Sequence, residues 1–255
     1  MKVARAAAFL SVLAVVTSFT QSPKVLLRYG LATGSPVSYA LRDERAGRQT
    51  FLYVRQTVTD SSGVKILTTR VDSALYLMPG GRAPQELGSI PNFQVRADDR
   101  RRWIDSVADQ DTILAALRAI ALGRAVPLPQ EPVGVGDSWK VEFPVRISYD
   151  YEPSNVAKAK AKVKVKRLDV TPTDTTVVLE VSLHLDGSGQ PRPDWPDVDV
   201  SGDLDGEEVF SVHSGMTQHL KLQGRVEWSW RAMGPRGMTP HSYATIVSLM
   251  RDVAP

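Results

Sequence analysis

Between residues 139 and 151 the chain alternates apolar and polar side chains. Trp139, Val141, Phe143, Val145, Ile147, Tyr149 and Tyr151 fall on one side; Lys140, Glu142, Arg146, Ser148 and Asp150 fall on the other. A period of two belongs to a strand with one dry and one wet face, and a helix cannot satisfy it. The same period recurs at Ala159, Ala161, Val163 and Val165, again at Val177, Leu179, Val181, Leu183 and Leu185, and again at Leu220, Leu222, Val226, Trp228 and Trp230. Shorter runs predict strands at 25–31, 37–42, 50–59, 64–69, 74–78 and 243–250, and Asp60-Ser61-Ser62-Gly63 supplies a hairpin turn. Pro144, on the polar side, marks its strand as an edge or a bulge. One wet face per strand is what an antiparallel sheet covered on a single side requires. The predicted fold is therefore mostly β, a large curved antiparallel sheet closing as a half-barrel or a sandwich.

One stretch, 98–123, leaves this period. Ile113, Leu114, Leu117, Ile120 and Ala121 follow helical spacing, Asp109 or Asp111 can cap the start and Gly123 the end, and a shorter helix is expected over 99–107. The Arg100-Arg101-Arg102 run beside Asp98 and Asp99 reads as a solvated helix face rather than a basic patch. At the other extreme, Lys2 and Arg5 precede an uncharged run from Ala6 to Val16, followed by the small polar residues Thr17, Ser18 and Thr20. That order of charged, apolar and polar regions is a cleavable signal peptide over 1–20, cut after Ser18 or Thr20. The apolar run is too short to span about 30 Å of hydrocarbon, and no cysteine is present to carry a lipid. Residues 21–255 are then a single β-rich domain with a helical insertion, exported to a periplasmic or extracellular location with no transmembrane anchor. Losing Lys2 and Arg5 leaves 29 basic residues against 28 acidic ones, so the formal charge falls from +3 to +1. The balance points away from nucleic acid.

Three segments carry potential chemistry. Lys158, Lys160, Lys162, Lys164 and Lys166 share one face of a strand, a row suited to an anionic surface. The structural alternatives are an edge guarded by lysines, or a face opposed to the acids of 197–208 on a neighbouring strand. No aromatic interleaves the row, which argues against single-stranded nucleic acid. The segment 197–208 resembles an EF-hand calcium loop, with Asp197, Asp199, Ser201, Asp205 and Glu208 at the ligand offsets and Gly202 at the sixth position. Pro191, Pro193 and Pro196 forbid the entering helix, so calcium or another hard cation is a third reading only. Gly136-Asp137-Ser138-Trp139 resembles the Gly-Asp-Ser block of one hydrolase class, yet here it opens a strand and reads as a turn in which Asp137 and Ser138 bond nearby amides. His213 and His219 flank a short hairpin without a third local ligand. No nucleophile elbow or phosphate loop is present, and the chain reads as no enzyme.

The run Pro132 to Trp139, of the form P-V-x-x-G-D-x-W, and the run Gly206 to Gly215, of the form G-x-x-x-F-x-x-x-x-G, resemble signatures of a group of exported bacterial β-rich proteins of unknown function. The resemblance implies fold and compartment, and curved sheets of this kind are similar to periplasmic lipoprotein and lipid carriers. By that analogy the aromatic face of Trp139, Phe143, Tyr149, Tyr151, Trp228 and Trp230 lines a cavity for an apolar or amphipathic ligand such as a lipid, or else forms ordinary core. The alternative function is a non-catalytic envelope or surface module that docks an envelope protein.

Overall fold

The computed structural model describes residues 23–30, 32–45, 48–78, 80–81, 83, 85–86, 92–104, 126–149, 152–189, 198–230 and 241–251. The predicted signal peptide and the main helix expected at 111–123 lie outside these residues. The described chain is mostly β. Its strands are β1 (Val37–Arg45), β2 (Arg48–Ser61), β3 (Val64–Leu77), β4 (Gln85–Glu86), β5 (Phe93–Ala97), β6 (Ser138–Tyr149), β7 (Glu152–Val170), β8 (Thr175–Gly189), β9 (Val198–Ser211), β10 (Met216–Trp230) and β11 (His241–Arg251).

All pairings are antiparallel, and the order across the sheet is β4-β3-β2-β1-β11-β10-β9-β8-β7-β6, with β5 also on β3. The last strand thus joins the two halves of the chain, pairing with β1 on one side and β10 on the other. The sheet does not close into a barrel: β6 is one edge, as Pro144 foretold, and β4 and β5 lie at the other. No helix of the described residues is long and apolar enough to cross a membrane.

The period of two is realised as burial. Ala159, Ala161, Val163 and Val165 of β7, Val177, Leu179, Val181, Leu183 and Leu185 of β8, Leu204 and Phe210 of β9, and Leu220 and Leu222 of β10 turn inward. They form one continuous core with Leu41, Leu52, Leu67 and Val95 from the other half of the sheet. Strands far apart in the sheet share that core because the sheet curves. Two glycines mark where it does so: a Cβ on Gly206 would sit 1.8 Å from the Lys221 carbonyl oxygen, and one on Gly224 would sit 1.9 Å from that of Asp203. Only glycine lets β9 and β10 approach so closely on the inner face.

The hairpins β2–β3, β7–β8 and β9–β10 emerge at one end of the sheet. There, three irregular segments (23–36, 98–104 and 126–136) pack against its inner face. Val25 and Val133 form a bridge, the Tyr29 amide donates to the Asp99 carbonyl at 2.7 Å, the Gly30 amide to Gly215 at 2.9 Å, and the Leu128 amide to Arg100 at 2.9 Å. Leu27, Tyr29, Val126 and Leu128 are buried by this packing. The sequence predicted a strand at 25–31, but among its described residues only the Val25 bridge forms, since the backbone of this segment bonds to several different elements. The two strands expected at 64–69 and 74–78 are one, β3, and β5 was not foreseen.

Residues 98–104 are not the start of a helix either. They make a turn in which the Asp98 carboxylate accepts from the amides of Arg100 and Arg102, each at 2.9 Å, and the chain doubles back so that the Ile104 amide donates to Arg96 at 2.8 Å. Arg101 sits at φ 60°, left-handed backbone that no helix contains.

Candidate functional site

The polar face of β6–β9 organises the charged residues that the sequence singles out. Because strand register is known, they fall into rows running across the sheet. One row is Glu142, Lys160, His184 and Asp203; the next is Lys140, Lys162, Ser182 and Asp205; a third is Ser138, Lys164, Glu180 and Glu207. Neither structural alternative for the lysines of β7 holds as drawn: β6 lies outside β7 at the edge, and β8 lies between β7 and the acids of β9. The separation is two strand spacings, about 10 Å.

Most of these charges find partners. The His184 ring lies 2.8 Å from Asp203 Oδ1, and Lys158 Nζ is 3.8 Å from Glu142. Lys166 sits where the β7 register shifts and reaches over β8 to Glu207. Its hydrogen bond and charge hold the Glu207 carboxyl below the ordinary range, while Glu207 raises the Lys166 ammonium. This pairing relieves Glu180 and Glu207, which face each other directly. Lys140 and Lys162 also face each other directly, a destabilising like-charge pair that no ion pair relieves among the described residues. Among the described residues no carboxylate lies within ion-pair distance of Lys140, Lys160, Lys162 or Lys164.

Around this pair the long side chains enclose an open groove of about 620 Å³. Lys140, Lys160 and Lys162, with Glu142 opposite Lys160, form one side and Asp203 and Asp205 the other, with Ser182 and His184 between them. Ser182, the short member of its row, separates Lys162 from Asp205.

The calcium-loop residues are not gathered into a shell. Asp199, Ser201 and Asp205 follow one another along the outer face of the extended β9, whereas Glu208 turns inward; Asp197 lies outside the described residues. Glu208 is 1% exposed and engaged by the equally buried Arg101. The guanidinium donates from Nη1 to Glu208 Oε1 at 2.6 Å and to Thr217 Oγ1 at 2.8 Å, from Nη2 to Glu208 Oε2 at 3.1 Å, and from Nε to the Val126 carbonyl at 3.1 Å. The Thr217 hydroxyl donates to Glu208 in turn, Tyr39 donates to the Thr217 carbonyl, and the Phe210 ring lies 5.8 Å from the guanidinium. Burial pushes the nearby Tyr29 phenol well above its usual range, with the Arg101 charge opposing. The arginine run is therefore neither a helix face nor a patch: its middle member ties the 98–104 turn and the 126 segment to β9 and β10. Among the described residues no group of three or more His, Asp or Glu is placed to hold a metal.

Of the aromatic face, Trp139 and Phe143 are half-buried and pack against the core, and the Trp139 indole donates to the Pro127 carbonyl at 3.2 Å. Tyr151 and the side chains of Tyr149, Trp228 and Trp230 lie outside the described residues. The Gly-Asp-Ser block is a turn: the Gly134 amide donates to Asp137 Oδ2 at 3.0 Å and Lys24 lies 3.2 Å from the same oxygen, which together hold that carboxyl below the ordinary range. His213 is exposed, its amide donating to Asp174.

The geometry defines an open, curved antiparallel sheet with a packed inner face and a charged groove on its outer face. Comparison with family models, curated proteins and solved structures finds no match for the chain.

Proposed function

We propose that the chain is an exported, non-catalytic binding module that docks an anionic partner through the lysines of β6 and β7. The carrying observation is the Lys140–Lys162 pair, flanked by Lys160 and Lys164, none of the four within ion-pair distance of a carboxylate among the described residues. Four ammoniums held together on a strand ladder repel one another, and a bound anion would remove that cost. Titration with polyvinylsulfonate, a polyanion without hydroxyls, tests this. Replacing Lys140, Lys160, Lys162 and Lys164 by Gln should weaken binding at least about tenfold at low salt. A charge-matched control replacing Lys24, Arg42, Arg55 and Arg70 should stay within about twofold, because exposed pairs contribute little to the fold. Equal losses in both proteins would leave only net charge as the cause and end the proposal.

A second reading, carriage of a lipid or other amphipathic ligand on the inner face, is favoured by Trp139 and Phe143, which are only half-buried on an edge strand. Native mass spectrometry of protein purified from an envelope fraction should then show bound lipid; repeated ligand-free spectra would remove this reading.

A further inference from the structure

The groove is uneven: three lysines outnumber Glu142 on its β6–β7 side, while its β9 side carries only the acids Asp203 and Asp205. We infer that its ligand is an acidic carbohydrate, whose acid groups meet the lysines and whose hydroxyls meet the opposite side; this rests on the lysines being an anion site. Asp203 and Asp205 project from β9 across the groove from Lys160 and Lys162, and Ser182 and His184 lie between. For a ligand bearing only negative charge, two carboxylates beside the site are a liability. For a ligand that also carries hydroxyls they are the best acceptors a side chain offers, and a charged acceptor forms the stronger hydrogen bond. Asp203 shares one oxygen with His184, and Asp205 has no ionic partner among the described residues.

The groove is lined by no Phe, Tyr or Trp, and its one ring, His184, lies 2.8 Å from the Asp203 carboxylate. It therefore lacks a stacking platform for a nucleobase, and binding must come from charge and hydrogen bonds. Its volume of about 620 Å³ falls within the range of small-molecule sites. A concavity of that size suits a slender chain of acid sugars better than a flat bilayer surface.

The test compares three probes by calorimetric titration: an oligo-uronate, the same oligosaccharide with its carboxyls reduced, and polyvinylsulfonate. The oligo-uronate should bind and its reduced form should not. The informative variant is D203N/D205N, which sits on the exposed face, with circular dichroism confirming the fold. It should weaken the oligo-uronate about tenfold by removing charged acceptors, while polyvinylsulfonate binds as well as before or more tightly, since two repelling charges have gone. If the variant tightens both ligands, the aspartates merely repel anions and the inference is overturned while the lysine site stands. If polyvinylsulfonate fails to bind the unaltered protein, the lysine site itself falls. Tighter binding of single-stranded DNA or of phosphatidylglycerol vesicles than of the oligo-uronate at equal charge also overturns the carbohydrate assignment.

Discussion

Arg101 shows how little a residue's neighbours in sequence say about its role. Arg100 and Arg102 use local or peripheral acceptors, Leu128 and Asp98, while Arg101 between them is 2% exposed and bonds to Glu208, more than a hundred positions away. Its left-handed backbone is tolerated because hydrogen bonds to three different residues hold it there. Removing one partner of a buried pair leaves the other charged and dry. R101A should therefore lower the unfolding free energy by about 3–5 kcal/mol, whereas R101M/E208L should recover most of the loss, because two apolar groups strand no charge. Urea unfolding of the single and double variants measures both. Asp98 adds a pH dependence. Partial burial raises its pKa, but the amides of Arg102 and Arg100 and the Arg102 guanidinium outweigh this and hold the carboxyl below the ordinary range. A depressed carboxyl contributes stability that is full above its unfolded pKa of about 3.9 and is lost as pH falls through the folded value. The urea midpoint should drop from pH 5 toward pH 3, and D98N should show a shallower drop over the same interval. None of this was legible in the run of three arginines, since a guanidinium that will be buried and one that will be solvated are chemically the same.

At the scale of the element, the strands were the legible part. Alternation in 139–151, 159–165, 177–185 and 220–230 is a local property, and it matches β6, β7, β8 and β10. The hairpin at 60–63 was legible for a similar reason: Ser62 and Gly63 take φ values of 53° and 83°, as a two-residue turn between twisted strands requires. The acidic stretch was harder to read. Spacing alone suits both a cation loop and a strand, and the tertiary partners of β9 decide for the strand, with Gly206 serving close approach to β10. Because the atom a new side chain would meet is a backbone carbonyl, G206A should cost about 1–3 kcal/mol through forced separation of β9 from β10. S201A, on the outer face of the same strand, should stay within about 0.5 kcal/mol. Thermal or urea denaturation distinguishes the two, and equal stability would mean that the bend does not depend on Gly206. β5 went unseen because five residues, Phe93–Ala97, are too few to establish a period without the β3 strand they pair with.

Across the whole molecule the chain runs outward from β1 to β4, crosses to the opposite edge and returns from β6 to β11, so its first and last strands lie side by side. Export is the proposal that belongs to this scale. N-terminal sequencing of the protein recovered from outside the cytoplasm should begin at Phe19 or Gln21; an intact Met1 in that fraction would refute cleavage. The sequence by itself determined that the chain would be an antiparallel sheet with one wet face and one dry face, because side-chain alternation needs nothing beyond neighbouring residues. Only the tertiary structure decided which residues share a row. It set the lysines of β7 two strands from the acids of β9, placed Lys140 against Lys162, and sent Glu208 inward to Arg101. Register depends on pairing between segments tens of residues apart, and no local pattern carries that information.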